Sequence, residues 1–313
     1  MNNMVKGSYG NPPVYSEAEE NRINKVEITS RKSMKIRPSG RSTDFITPSF
    51  GYGCLFNCSY CYMKRNKPEG LNVADEFSTT DILSEINSHA WFATVDKPNQ
   101  THSSYITYDI SCNEDFALHL KYHDWERIFD FFKDNERGLM ASFATKYVNK
   151  KLLTYNPKGK VRIRFSLIPE KIRQIVEPNT STIEERINAI TPFIEGGYNV
   201  HVNFSPVIVY DGWLDDYKEL FKQLDAGMKN VYKPYVKAEV IFLTHNQWKH
   251  TYNQLHEIPG EDLLWRPELQ ETKVSQYGGT NLRYKFDIKE KFVNYFRELH
   301  DEVIPWNKIR YIF

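Results

Sequence analysis

Apolar positions in this chain fall into two alternating registers. Short runs rich in Val, Ile, Phe and Tyr, at residues 104–110, 139–144, 161–167, 200–208 and 236–243, have the length and side-chain character of buried strands. Between them, apolar residues recur at helical spacing over 79–93, 116–133, 182–195 and 213–225. Strand followed by helix, repeated, calls for a parallel sheet with crossover helices. Five or six such units predict an α/β fold, a partial (β/α)6 TIM-type barrel, with strand ends and following loops converging at one mouth.

One helix boundary is well marked. Ser181-Thr-Ile-Glu184 has the capping-box spacing, and Gly196-Gly197 supplies a left-handed stop. The pattern divides the chain into a polar, partly extended N-terminal arm (1–44), the barrel (45–245) and a small C-terminal extension (246–313). The extension carries a helix with Trp248 and Trp265, a turn-rich segment at 276–280, a helix near 287–302 and a last strand at 308–313.

Composition narrows the class. With 313 residues, 40% hydrophobic and 26% charged, the chain is long enough for one large core. No apolar run approaches the roughly 20 residues of a membrane helix, and the polar start lacks the apolar centre of a secretory signal, so a soluble, cytoplasmic protein is expected. A net charge of +1 argues against a general nucleic-acid coat. Two local basic stretches stand out: Arg22, Lys25, Arg31, Lys32, Lys35, Arg37 and Arg41, and then Lys146, Lys150, Lys151, Lys158, Lys160, Arg162, Arg164, Lys171 and Arg173. Each is read either as a nucleic-acid contact or as a solvated face.

The candidate chemistry lies in the cysteines. Three of the four fall within eight residues, as Cys54-Leu-Phe-Asn-Cys58-Ser-Tyr-Cys61. Structural zinc prefers a tetrahedron closed by two separated pairs, and most iron-sulfur clusters use four thiolates. A lone triplet instead suits a 4Fe-4S cluster with one iron left open, the glycine-bearing lead-in Phe50-Gly51-Tyr52-Gly53 fitting the loop around it; zinc or incidental thiols are the competing readings. Cys112 follows the strand at 104–110 and points to the same mouth. It reads either as a small buried hydrophobe or as a hydrogen-atom donor to a carbon radical, since its S–H bond is weak. Tyr60 and Tyr62 flank Cys61 and are read as radical relays or as ordinary packing.

The C-x3-C-x2-C pattern with an aromatic before its last cysteine resembles the radical S-adenosylmethionine superfamily. The resemblance narrows over Cys58-Ser-Tyr60-Cys61-Tyr62, the single Cys112, Thr145-Lys146, Arg164-Phe-Ser166-Leu, Ile175-Val-Glu177, Thr182-Ile-Glu-Glu-Arg186 and the run from Asn203 to Tyr217. In that order these segments resemble the spore photoproduct lyase family. The resemblance implies a partial barrel, a 4Fe-4S cluster on Cys54, Cys58 and Cys61, and S-adenosylmethionine contacted by Lys146 and Ser166. It also implies hydrogen abstraction by a 5′-deoxyadenosyl radical, fragmentation of a thymine dimer in DNA, and quenching by Cys112 with relay through Tyr60 and Tyr62. An electron donor such as flavodoxin or ferredoxin is implied as a partner.

Such chemistry needs no hydrolytic water, so Glu114 and Asp115 are read as positioning groups or surface charges. Tyr277, Arg283, Tyr284 and Lys285 are read as a hairpin that clamps the nucleic-acid strand. Asn113 stands where the family's repair enzymes tend to carry serine, and Ile168 where a polar residue is usual. These departures favour a second reading, a related radical enzyme acting on a different nucleic acid, a peptide or a small molecule. A binding module with a structural zinc or a redox-silent cluster is the third.

Overall fold

The computed structural model describes residues 26–30, 33–38, 44–63, 70–92, 102, 104–274 and 280–313. Its strands are β1 (Val26–Thr29), β2 (Arg37–Pro38), β3 (Phe45–Ile46), β4 (Gly51–Gly53), β5 (Leu71–Ala74), β6 (Ile106–Asp109) and β7 (Leu139–Thr145). They continue as β8 (Val161–Ser166), β9 (Asn199–Val207), β10 (Ala238–Phe242), β11 (Thr244–His245), β12 (Gln270–Val274), β13 (Thr280–Tyr284) and β14 (Ile309–Ile312). The main sheet has the order β14-β10-β9-β8-β7-β6-β3-β2. From β3 to β14 every neighbouring pair is parallel, and β2 closes the edge antiparallel to β3. All five expected strand runs are present. Crossover helices join most of them: Glu76–Phe92 before β6, Trp125–Asp134 before β7, Ile183–Glu195 before β9 and Trp213–Gly227 before β10. A 3-10 turn, Lys150–Thr154, stands between β7 and β8.

Strict alternation in β8 shows how the layers divide. Successive strand side chains point to opposite faces. Phe165 packs edge-on against Phe193 of helix Ile183–Glu195 on the outer face. Arg162, Arg164 and Ser166, the alternate residues, face inward and are buried. The inner face therefore holds charge, and the charges are matched. Arg164 pairs with Asp109 at 2.8 Å and Glu239 at 3.2 Å, Arg310 with Glu239 at 2.7 Å, and Arg162 with Asp44 at 3.5 Å. Tyr311 donates to Glu239 at 2.6 Å and Thr107 to Asp44 at 2.7 Å. Burial and the surrounding Arg162 and Arg310 keep His201 neutral, and its Nδ1 accepts from Arg310 at 3.0 Å.

The second basic stretch is thus not one surface patch. Arg162 and Arg164 lie inside the sheet's concave face, while Lys171 and Arg173 pair with Asp216 and Glu170. Arg22, Lys25, Arg31, Lys32 and Arg41 lie outside the described residues.

The capping box forms one residue later than its spacing implies. Thr182 is the N-cap, accepting from Glu185 N–H at 3.1 Å while the Glu185 carboxylate accepts from Thr182 N–H at 2.7 Å. Ser181 Oγ is engaged elsewhere, accepting from Val148 N–H at 3.0 Å. At the other end, Gly197 takes the left-handed conformation with φ +90°. The C-terminal segment is built into the same core: Phe296 of helix Phe286–Val303 contacts Phe204 of β9 and Phe221, and β14 pairs with β10. Trp248 lies in helix Gln247–Leu255, whereas Trp265 follows the separate short helix Glu261–Leu264. No helix among the described residues is long and apolar enough to cross a membrane.

Candidate active site

Loops after the strand ends meet at one end of the sheet, and the cysteine loop lies across them. Its lead-in needs glycine for steric reasons. Gly53 has φ +117°, and a Cβ there would come within 2.4 Å of the Gly70 carbonyl; at Gly51 a Cβ would meet the Glu114 carboxylate at 2.2 Å. The loop is then held by hydrogen bonds from three directions. Gly53 N–H donates to the Asn113 carbonyl at 3.1 Å, and Leu55 N–H donates to His119 Nε2 at 3.2 Å. With Nε2 accepting, the His119 proton sits on Nδ1 and is donated to Glu114 at 2.9 Å. His123 Nε2 approaches the same carboxylate oxygen at 2.8 Å. Burial opposes charge on Glu114, but His123 and His119 together draw its pKa down to about 2.

From the other side, Ser59 N–H donates to the Val176 carbonyl at 2.9 Å and Ser59 Oγ to the Pro259 carbonyl at 2.7 Å. The C-terminal segment completes the clamp. Lys249 Nζ donates to the Tyr60 carbonyl at 2.6 Å and Asn253 Nδ2 to the Ser59 carbonyl at 2.9 Å.

Beneath the loop is a cavity of about 460 Å3, within the size range of small-molecule sites. All eight residues assigned from the sequence to the cluster, the cofactor or the radical chemistry line it: Cys54, Cys58, Cys61, Cys112, Tyr60, Tyr62, Lys146 and Ser166. Cys54 and Cys58 are buried and Cys61 and Cys112 half-buried, and none of the four is joined in a disulfide among the described residues. The donor set, three thiols from one short loop, fits a 4Fe-4S cluster with one iron left to another ligand.

Cys112 sits in the loop between β6 and helix Phe116–His119. Burial, reinforced by the Asp109 carboxylate, pushes its thiol up to about 11, so the sulfur keeps its proton at neutral pH. The Tyr62 hydroxyl donates to the Cys112 carbonyl, and the Tyr60 hydroxyl to Glu177. Glu177 is itself paired with Arg186 at 2.9 Å, both fully buried. Arg186 also donates to the Ser166 carbonyl at 2.8 Å. Asp115 caps helix Phe116–His119 and accepts from Thr145 Oγ1 at 2.7 Å and from Lys146 N–H at 2.8 Å. Burial works against the Lys146 ammonium, yet the nearby Glu177 and Cys58 charges raise its pKa.

Two polar atoms on the cavity wall await a ligand. Ser166 Oγ and Asn203 Oδ1 are buried with no hydrogen-bond partner among the described residues. A buried, unmatched hydroxyl and amide are costly unless something polar fills the cavity. The residues present therefore fit a polar cofactor lying between the cysteine loop and the ends of β8 and β9.

Several expectations change on this geometry. Glu114 and Asp115 are buried positioning groups rather than surface charges. Tyr284 is no exposed wedge: it is buried, and its hydroxyl accepts from Val209 N–H at 2.9 Å. Arg283 pairs with Glu271 across the β12–β13 hairpin, and Tyr277 lies outside the described residues. Lys249, Asn253 and His119 were not foreseen. Lys249 and Asn253 reach the loop from 189 and 194 residues away, a separation that leaves no local pattern.

Comparison with known proteins agrees with the geometry. Residues 3–313 match a family model described as spore photoproduct lyase. The spore photoproduct lyase of Bacillus subtilis (strain 168) is 25% identical over 288 residues, 91% of this chain and 80% of the relative. That of Clostridium acetobutylicum is 25% identical over 268 residues, 81% of this chain and 76% of the relative. Among solved structures, a spore photoproduct lyase complexed with dinucleoside spore photoproduct superposes with a TM-score of 0.79 at 20% identity, covering 92% of this chain and 82% of that one. A double mutant with bound AdoMet and dinucleoside spore photoproduct gives 0.81 at 18%, covering 97% and 88%.

Proposed function

The chain belongs to the spore photoproduct lyase family, and from that premise we propose that it is a radical S-adenosylmethionine lyase that splits a thymine dimer in DNA. The observation that carries this reading is the single cavity that gathers the cysteine triplet, Cys112, both tyrosines, Lys146 and Ser166. The parallel strands β3, β6, β7, β8, β9 and β10 lie side by side in chain order, which supports reading the sheet as a partial (β/α)6 barrel.

A 4Fe-4S cluster and S-adenosylmethionine, when bound, supply one-electron cleavage chemistry and a carbon-centred radical. The chain's own part is to place and protect. Cys54, Cys58 and Cys61 hold the cluster, and the loop's clamps from His119, Lys249 and Asn253 fix where it sits. Lys146 offers a cation to the cofactor carboxylate or ribose, and Ser166 Oγ and Asn203 Oδ1 offer a donor and an acceptor. Arg186 fixes the Ser166 carbonyl, and through Glu177 it orients Tyr60. Cys112 delivers a hydrogen atom from its protonated thiol to the product radical. Tyr62, hydrogen-bonded to the Cys112 backbone, is placed to pass the resulting sulfur radical on.

The test is anaerobic reconstitution with iron and sulfide followed by dithionite and S-adenosylmethionine. The reading requires a brown protein that forms 5′-deoxyadenosine and loses that activity in Cys58→Ala. A protein that takes up cluster iron but never forms 5′-deoxyadenosine contradicts it. The second reading, a different substrate for the same radical, keeps one specific support in Asn113, whose Oδ1 lies 3.4 Å from the Tyr62 hydroxyl beside Cys112.

A further inference from the structure

Three donor side chains in the C-terminal segment take no part in the chemistry above. His245 ends β11, His250 lies in the first turns of helix Gln247–Leu255, and Glu261 opens helix Glu261–Leu264. Glu261 Oε1 lies 2.9 Å from His245 Nε2 and 2.6 Å from His250 Nδ1. The three donor atoms all fall within 4.8 Å of one another. The His245 side chain is fully buried, and those of His250 and Glu261 are 13% and 14% exposed.

Two of the donors, His250 and Glu261, are held in place by neighbours that are not themselves donors. Trp265 stacks on His250 with ring centroids 3.9 Å apart. Asn253, 1% exposed, donates to Glu261 Oε2 at 2.6 Å. Asn246 caps the helix that carries His250, accepting from Lys249 N–H at 2.8 Å. Outer hydrogen bonds and stacked rings of this kind are what orient ligands around a metal.

Zinc bonds of about 2.0–2.1 Å set tetrahedral ligands roughly 3.3 Å apart, so on taking up a cation Glu261 Oε1 would move out by about 0.4 Å from His245 Nε2 and about 0.7 Å from His250 Nδ1, and the two histidine nitrogens, within 4.8 Å of each other, would adjust to the same spacing.

We propose that His245, His250 and Glu261 form a mononuclear site for a divalent cation of the zinc class, with water in its fourth position. The site is structural in consequence. Asn253 joins Glu261 to the Ser59 carbonyl, so a bound cation fastens the C-terminal segment to the cysteine loop. Nothing in this proposal depends on the radical reaction or on its substrate.

The experiment uses the full chain with Cys54, Cys58 and Cys61 changed to alanine, which removes the competing thiolates and the cluster. Zinc content is measured after dialysis, and cobalt(II) is added as a spectroscopic probe. The expected result is about one zinc per chain and cobalt d–d bands without thiolate charge transfer, with His250→Ala or Glu261→Gln lowering zinc affinity by about 100-fold. No retained zinc, or zinc and cobalt binding indifferent to both substitutions, overturns the proposal. Should the triple variant not fold, zinc is counted in the cluster-loaded wild type and in His250→Ala. A content falling from about one to about zero supports the site, and absent or equal contents overturn it.

Discussion

At the scale of single residues, Cys112 bears the most chemical weight. A hydrogen-atom donor must keep its hydrogen, and this thiol does so because burial and Asp109 hold its pKa near about 11. A raised pKa means the S–H form persists below that value and is lost above it. Clean quenching is therefore expected to stay level from about pH 7 to about pH 9, where an ordinary thiol near 8.5 would already be ionising. A loss of clean product centred near about 8.5 would speak against Cys112 as donor. Cys112→Ala should leave 5′-deoxyadenosine formation in place while the dimer is converted to aberrant, unquenched products, as product mass spectrometry would show. Unaltered product from that variant would remove the residue from the mechanism. The cysteine spacing and Cys112 were legible because ligand identity and spacing are local properties. Lys249 and Asn253 were not, since only the folded chain brings them to the loop.

At the scale of elements, helix Ile183–Glu195 shows how support for the site is built. Its fully buried Arg186 holds Glu177, Thr180 Oγ1 and the carbonyls of Ser166 and Ser181. Removing one partner of a buried pair leaves the other charge uncompensated, at a cost of about 3–5 kcal/mol. Arg186→Met is expected to lower unfolding free energy by that order in denaturant titration. A loss under about 1 kcal/mol would show the pair to be dispensable. The start of the same helix is a smaller matter. Thr182→Ala removes the cap at a cost of about 1 kcal/mol, read from the same titration, and no measurable loss would contradict the assignment of Thr182 as cap. Sequence spacing alone put the box at Ser181. Ser181 and Thr182 are both good caps followed three residues on by glutamate, and the choice falls to Thr182 because Val148 N–H engages Ser181.

For the whole molecule, order along the chain gave the five strand runs and most of the crossover helices, since each βα unit carries its own hydrophobic period, but the stretch read as one helix over 116–133 is divided into helix Phe116–His119, a 3-10 turn Leu120–Tyr122 and helix Trp125–Asp134. The inner face was harder to foresee. Val161-Arg-Ile-Arg-Phe-Ser166 alternates as a two-faced strand should, but its arginines read as part of a basic stretch because their partners Asp44, Asp109 and Glu239 lie far off in sequence. Folded, Glu239 is fully buried between Arg164 and Arg310 and takes the Tyr311 hydroxyl as well. Glu239→Gln should cost about 3–5 kcal/mol by the same reasoning, and a neutral outcome in denaturant titration would mean the network contributes little.

The central claim is that one cavity makes a radical at the cysteine triplet and quenches its product from Cys112. Anaerobic turnover of dinucleoside spore photoproduct in deuterium oxide, followed by mass spectrometry of the product, tests it most directly. An exchangeable thiol donor predicts repaired thymine dinucleoside carrying a single deuterium, with this labelled product lost in Cys112→Ala. Formation of 5′-deoxyadenosine with no repaired dinucleoside, or repaired product without deuterium, would contradict it.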